Sequence, residues 1–522
     1  MYAQIDQILK MLADPNDGRP VILVEFLYQI CNSGGGMAEF TELTETYERF
    51  QGGYIWDWQD KSLEAKDENG SSFFAYGGDF GEAMTEYECP LFMTNNGIVM
   101  PDLTWKPVAY EVRQAYAPVY FVKGPWTGKN QYILKNKYMT KDLSGFKFIA
   151  DLRENGVITA SVESPLENIT PQSENRIDVA FPEELFANGK EYHIDLTVYD
   201  GAGIQISSNQ FLLQPGAPSV TDYNCEAKTP LSLKETGGEY IVAGENFEYI
   251  FSKNTGTIVK MTKNGEDYLT GGGEVCLDRP RSGLDPTPVW GGVHDEFEFI
   301  QRENIKKEVC ASALISAGNS AVIIDIVNKF MIQSGDTIPC GAQYRVAADG
   351  TVYVSFYVNA TMYPKHLQRA GIEFVLPEGF TELEYHGRGE IENYPDRKSC
   401  AKLGVYRSTV ADRHFPFNPP SENGGHEDTR RVTLINGGGA ALIIQSDRPF
   451  HFDAHDYTVA ACRHAKHDHE IIRCKETILH IDAAHGPIGG DMAWSTTMPK
   501  AFSLKGGYYA LNFKMSFGRP KE

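Results

Sequence analysis

The sequence is short of several things, and each shortage excludes something. No run approaches 18 consecutive apolar residues, so no stretch is long enough to cross a bilayer as a helix. Met1-Tyr2-Ala3-Gln4-Ile5-Asp6-Gln7-Ile8-Leu9 has neither a basic n-region nor an apolar h-region, so it does not read as a secretory signal. Basic residues are in deficit: Lys+Arg 48 against Asp+Glu 70 leaves a net charge of −22. That charge repels phosphate backbones and anionic surfaces, so neither nucleic acid nor membrane is expected as a partner. The nine cysteines are odd in number, widely spaced and without a C-x-x-C pair, which implies reduced thiols. Gly271-Gly272-Gly273 and Gly437-Gly438-Gly439 lack a following Lys-Ser/Thr and read as turns rather than phosphate cradles. These features together predict a cytoplasmic protein.

What is present is ample core material. At 522 residues, 42% hydrophobic and 12% aromatic, the chain should hold about three domains. The most telling stretch is Val21-Ile22-Leu23-Val24-Glu25-Phe26, entered from Asp17-Gly18-Arg19-Pro20 and followed by Gly34-Gly35-Gly36. Such an apolar run predicts a short strand buried on both faces, as in a parallel α/β sheet. Glu25 closes it. An unpaired carboxylate costs several kcal/mol to desolvate, so an acid there is either paired structurally or kept for chemistry. In a (β/α) barrel the carboxyl ends of the strands carry the active site.

Ile5, Ile8, Leu9 and Leu12 share one helical face, and Met37, Phe40, Leu43 and Tyr47 are spaced three or four apart within residues 35–50. Gly52-Gly53 leads into an apolar Tyr54-Ile55-Trp56 strand, and a further helix is expected from Pro107 to about Tyr116. These make two β-α units in residues 1–117. A closed barrel needs eight units and roughly 250 residues, so most of one is absent.

Alternating strands follow at Val119–Val122, Tyr132–Leu134, Phe146–Ala150, Ile177–Ala180 and Tyr192–Val198, a spacing that predicts an immunoglobulin-like β-sandwich over 118–216. Gln214-Pro215-Gly216-Ala217-Pro218 reads as a linker. Residues 225–518 show more strands than helices, and one large β-sandwich is the simplest account. The fold class is therefore mainly β and multidomain: a remnant of a (β/α)8 barrel, then two sandwiches.

Several motifs resemble one family. Pro20 to Asn32, Gln51-Gly52-Gly53-Tyr54-Ile55-Trp56-Asp57-Trp58-Gln59-Asp60, Asp67-Glu68-Asn69-Gly70 and Tyr76-Gly77-Gly78-Asp79-Phe80-Gly81 are similar to the end of the catalytic barrel of large bacterial β-galactosidases, glycoside hydrolase family 2. Gly244 to Tyr249 with Thr255-Gly256-Thr257, Arg279-Pro280, Gly387-Arg388-Gly389, Glu392-Asn393-Tyr394-Pro395-Asp396-Arg397, Pro420 to Gly424, Asp428-Thr429-Arg430, Ile481-Asp482, Ile488 to Asp491 and Trp494 resemble their carboxyl-terminal domain. The resemblance places Met1 inside the barrel, before its seventh strand. It implies that Glu25 is the nucleophile, Trp56 a sugar platform, and Asn96 a holder of a monovalent cation beside the sugar. Tyr28 stands where the family has a sugar-contacting histidine, and it keeps a donor without a charge near neutral pH. Cys31 replaces the usual glycine before Asn32, and a cleft tryptophan corresponds to Ile478. Magnesium and sodium are implied for the complete enzyme, with the magnesium ligands on the absent strands.

Retaining glycosidases need two carboxyl groups about 5 to 5.5 Å apart. The resemblance puts the acid/base glutamate upstream of Met1; Asp57, Asp60, Asp79 and Glu422 are read as structural. Trp58 suits a core position better than Trp56. His451, His455, His464, His467, His469, His480 and His485 invite a metal reading. However, strand residues four apart share a face only near one edge and no carboxylate clearly completes a ligand set, so loop and sandwich-edge positions are expected. The resulting expectation is the carboxyl-terminal portion of a retaining β-galactosidase, poorly active alone, acting on a β-galactoside with an upstream polypeptide or as a homo-oligomer of the complete enzyme. The alternatives are a non-catalytic complementing or carbohydrate-binding remnant, and a related exo-β-glycosidase such as a β-glucuronidase.

Overall fold

The computed structural model describes residues 2–81, 93–124, 127–128, 130–217, 230–283, 285, 298–318, 320–490 and 500–519. Asp491, Trp494, Pro218, Cys89 and Cys225 lie outside these. The chain is mostly β.

Helix α1 (Ile5–Leu12) precedes strand β1 (Val21–Phe26), helix α2 (Met37–Thr46), strand β2 (Phe50–Ile55) and helix α3 (Pro107–Ala115). β1 and β2 pair in parallel, with Leu23 opposite Gly53 and Phe26 opposite Ile55. Both glycines lie within β2 rather than ahead of it. A Cβ on Gly53 would stand 2.7 Å from Leu23 Cβ and 2.8 Å from its carbonyl oxygen, so this close pairing requires glycine. Leu23, Phe26, Phe40, Leu43 and Phe50 form the core between strands and helices.

β1 is not buried on both faces as its composition predicts. Ile22 is 50% exposed, Val24 64% and Tyr54 on β2 70%, while Leu23 and Phe26 are buried. A parallel strand is covered on both sides only when other layers supply the cover, and among the described residues this sheet has two strands. Trp58, expected in the core, is likewise 64% exposed.

Seven strands follow in two sheets. Gln205–Gln214, Tyr192–Tyr199, Phe146–Glu154 and Val157–Leu166 form one, and Val119–Val122, Gln131–Asn136 and Ser173–Asp178 the other. Their facing side chains, among them Tyr132, Phe148, Leu152, Tyr192 and Leu196, make a single core. Beyond them a five-stranded antiparallel sheet, Ser232–Glu235 to Glu266–Leu269, packs on a twelve-stranded sheet through Tyr249, Phe251, Met261, Tyr344, Phe356, Phe374 and Phe513. The hairpin expected near 244–257 is there, as Phe247–Ser252 paired with Thr257–Lys263.

The histidines are not all loop and edge residues. His451, His455, His480 and His485 lie on neighbouring strands of the large sheet, Ala441–His455 and Thr477–His485, and all four are buried. Ile478 is buried on the second of these strands, opposite Val375 and His455, so it fills the sheet rather than a cleft. The seven described cysteines are free thiols.

Candidate functional site

The candidate site is built at the carboxyl ends of β1 and β2. Glu25 is half-buried, and among the described residues its carboxylate has no hydrogen-bond or ion-pair partner. The backbone around it is fixed: Tyr2 N donates to Glu25 O at 3.0 Å, Trp56 N to Phe26 O at 3.1 Å, and Gln29 N to Trp56 O at 2.9 Å. The Trp56 ring is 40% exposed and sits one residue past β2, with the Lys61 ammonium 5.9 Å from its centre.

Asn96 arrives from the loop before α3. Asp57 N donates to Asn96 O at 2.5 Å and Ile98 N to Asp57 O at 3.1 Å, which ties that loop to the end of β2. The buried Tyr28 hydroxyl donates to Met93 O at 2.7 Å, and Asn96 Nδ2 reaches the same hydroxyl at 3.5 Å. Tyr28, Asn96, Lys61 and Trp56 thus form one contiguous set. Glu25 is joined to it through the backbone of Phe26 and Trp56.

Lys61 is the residue that the sequence reading missed. Its Nζ donates to Asn96 Oδ1 at 2.7 Å and to Gln59 O at 3.3 Å, and it pairs with the Asp57 carboxylate. The amide oxygen that the resemblance assigns to a monovalent cation is therefore already occupied by a fixed one. A sodium ion on that oxygen would stand roughly 4 Å from the ammonium, a repulsion of about 4 kcal/mol near a protein surface. The residues present do not fit the ion. None of this chain's residues is implied as a magnesium ligand. The available signal was Lys61 four positions after Asp57.

The four carboxylates that might have replaced a missing acid are all engaged. Asp60 is buried, accepts from Gly97 N at 2.7 Å and pairs with the buried Lys106 Nζ at 2.7 Å. Asp57 holds Lys61. Asp79 accepts from Tyr76 N at 2.8 Å and faces His467 Nε2 at 3.1 Å. Glu422 accepts from Tyr394 OH at 3.0 Å, and burial pushes its carboxyl up to about 7, against the attraction of Arg369.

The loop that follows Glu25 is clamped by the large sheet. Asn32 Nδ2 donates to Glu392 Oε1 at 2.6 Å and to Glu422 O at 2.8 Å. Arg397 Nη1 donates to Asn32 Oδ1 at 2.6 Å and to Ser33 O at 2.5 Å, and its Nη2 pairs with Glu392 at 2.6 Å. Tyr28 N donates to Gly490 O at 2.8 Å and Gly35 N to Gly489 O at 2.7 Å, while Asp396 Oδ1 and Oδ2 accept from Ile488 N and Gly489 N. A Cβ on Gly35 would stand 1.8 Å from Asp396 Oδ2, so only glycine allows this approach. The most specific carboxyl-terminal motif, Glu392 to Arg397, therefore positions the loop behind Glu25.

Residues 243–516 match the family described as Beta galactosidase small chain, and residues 1–121 match the TIM barrel domain of glycosyl hydrolases family 2. A β-galactosidase of Pseudoalteromonas haloplanktis is 26% identical over 99% of this chain and 52% of its own length. One of Priestia megaterium is 25% identical over 94% of this chain and 47% of its own. The chain spans about half the length of the curated relatives it matches. Among solved structures, a galactose 1-epimerase of Lactobacillus acidophilus aligns with 57% of this chain and all of its own at 9% identity and a TM-score of 0.32, too low to carry an argument.

Proposed function

The chain belongs to the β-galactosidase small-chain family, and from that membership we propose that it is the carboxyl-terminal portion of a retaining β-galactosidase, with Glu25 as its nucleophile. The observation that carries this reading is the half-buried Glu25 carboxylate, partnerless among the described residues, at the carboxyl end of a parallel strand whose partner strand leads into the exposed Trp56. In the proposed first step a Glu25 oxygen bonds to the anomeric carbon of a β-galactoside as the C–O bond to the aglycone breaks. The departing oxygen takes a proton from a carboxylic acid supplied by residues outside these 522. In the second step water, deprotonated by that same carboxylate, attacks the anomeric carbon and releases Glu25. Trp56 offers the apolar face of the sugar a flat surface, and Tyr28 and Lys61 offer polar contacts at its edge.

The exposed apolar row Ile22, Val24 and Tyr54 marks where the remaining barrel strands would pack, whether they belong to the same polypeptide or a separate one. In this reading the chain alone turns over poorly. The test is hydrolysis of an aryl β-galactoside by the chain alone and mixed with a polypeptide carrying the earlier barrel strands, followed by trapping with a 2-deoxy-2-fluoro-galactoside and mass spectrometry. Label on Glu25 in the mixture is expected. Label on another residue, or rapid turnover by the chain alone, overturns the assignment.

A further inference from the structure

Two neighbouring strands of the large sheet bring together His451, Asp482 and His485, and each is at most 3% exposed. His451 lies directly opposite Asp482 across the pairing of Ala441–His455 with Thr477–His485. Asp482 and His485 are three positions apart, which on a regular strand would put them on opposite faces. The register shifts there: Asp482 pairs with Gly371 and Ala484 with Ala370, leaving Ala483 as the extra residue of a bulge that returns His485 to the face of Asp482. One ligand-capable atom from each of the three side chains then lies within 4.8 Å of the other two.

The surroundings fix the two rings for coordination. His451 Nδ1 donates to Glu427 Oε1 at 2.9 Å and His485 Nδ1 to Gly486 O at 2.7 Å, so in each ring Nδ1 is taken and Nε2 is the atom open to a ligand. Both Nε2 atoms and Asp482 Oδ1 are buried without a hydrogen-bond partner; Asp482 Oδ2 pairs with Arg369 Nε at 3.1 Å, which leaves Oδ1 as the oxygen open to an ion, and Glu422 Oε1 stands 3.8 Å from His485 Nε2. Arg369 also pairs with Asp453, and Arg279 with Asp285 at 3.4 Å, so the local cations are shared with further carboxylates. Gly425 keeps the space beside one lone pair open, since a Cβ there would stand 2.7 Å from His451 Nε2. His451 and His485 also line a cavity of about 250 Å³, with Glu427, Phe450 and Ser503 among its walls.

We propose that His451, Asp482 and His485 bind a divalent transition metal of the zinc type, with Glu422 as the fourth donor. Two imidazoles and carboxylate oxygens suit zinc or cobalt and not calcium or magnesium. Ligands at about 2.0–2.1 Å around a tetrahedral ion stand about 3.4 Å apart, so the three side chains close by roughly 1.4 Å at most on binding. The ion would staple the strands beside the Glu392–Arg397 clamp, a structural role independent of the hydrolase reading.

The experiment uses the full chain, stripped with a chelator and titrated with CoCl2. The expected result is a visible tetrahedral d–d band that saturates at one equivalent, is displaced by ZnCl2, and shows two imidazoles by X-ray absorption. His451→Gln should weaken Co2+ binding at least 100-fold and Glu427→Gln, which loosens one ring, about 10- to 100-fold. His467→Gln with His469→Gln should leave it unchanged. Absence of the band, an imidazole count other than two on the unmodified chain, or loss of binding in the His467/His469 variant would each overturn the site. If His451→Gln does not fold, the imidazole count on the unmodified chain decides.

Discussion

Arg397 Nη1 donates a 2.6 Å hydrogen bond to Asn32 Oδ1, joining residues 365 positions apart and fastening the loop behind Glu25 to the large sheet. Both residues are at most 1% exposed, and the same guanidinium neutralises the buried Glu392. The loop behind Glu25 is thus held by a charged pair that the distant sheet supplies.

Replacing Arg397 with alanine strands the Glu392 carboxylate in the interior. Breaking a buried pair in this way costs about 3–5 kcal/mol. Denaturant unfolding of Arg397→Ala should show a loss of that size, and Arg397→Lys should recover little because one ammonium cannot serve Asn32, Ser33 and Glu392 together. A loss below about 1 kcal/mol would mean that the loop is held elsewhere.

The same argument applies to Asp60 and Lys106, both 2% exposed and 2.7 Å apart. Asp60→Asn leaves a buried ammonium uncompensated and removes the charge that Gly97 N meets. About 3–5 kcal/mol of stability should disappear, measured by chemical denaturation, and Lys106→Met in the same background should restore part of it.

Lys61 stands where a sodium ion would have to bind. An ion that binds only the folded state raises the melting temperature, by an amount that grows with the logarithm of its concentration relative to its Kd. Exchanging choline chloride for sodium chloride at constant ionic strength should therefore leave the wild-type Tm unmoved. Lys61→Ala frees Asn96 Oδ1 and the Asp57 carboxylate, and the same exchange should then raise Tm. A clear sodium effect on the unaltered chain would contradict this.

His386 packs against Gly156, where the smaller sandwich meets the large sheet; a Cβ on that glycine would stand 2.7 Å from the ring. Burial, reinforced by Arg430, depresses the imidazole to about 4. Because the folded value lies below the unfolded one of about 6.5, the unfolded state binds the proton more tightly. Stability from this group is full above pH 6.5 and falls as pH drops toward 4, by on the order of 3 kcal/mol. His386→Asn should flatten that part of the stability profile in thermal or urea unfolding between pH 7 and 4. An unchanged slope would show that other groups carry the acid sensitivity.

Local patterning was enough to place α1, α2 and α3, most strands of the smaller sandwich and the opening hairpin of the larger one, because periodicity and turn chemistry act over neighbouring residues. It also singled out Glu25 near the end of an apolar strand, while leaving open whether the acid was paired. It misjudged the cover of β1 and the position of Trp58, since composition records that a residue is apolar and not whether another layer meets it. Gly53 was read as an approach to β2, although its place opposite Leu23 is set by a strand that pairs with it through space.

The sequence alone therefore determined the β-rich architecture, the family resemblance and the candidate nucleophile, each carried by contiguous residues. Only the tertiary structure decided that Lys61 takes the Asn96 oxygen, that Arg397 and Asp396 hold the Glu25 loop, and that a bulge at Ala483 turns Asp482 and His485 to one side. Those outcomes depend on distances between segments tens to hundreds of residues apart, and on a register slip that alternation along one strand does not encode.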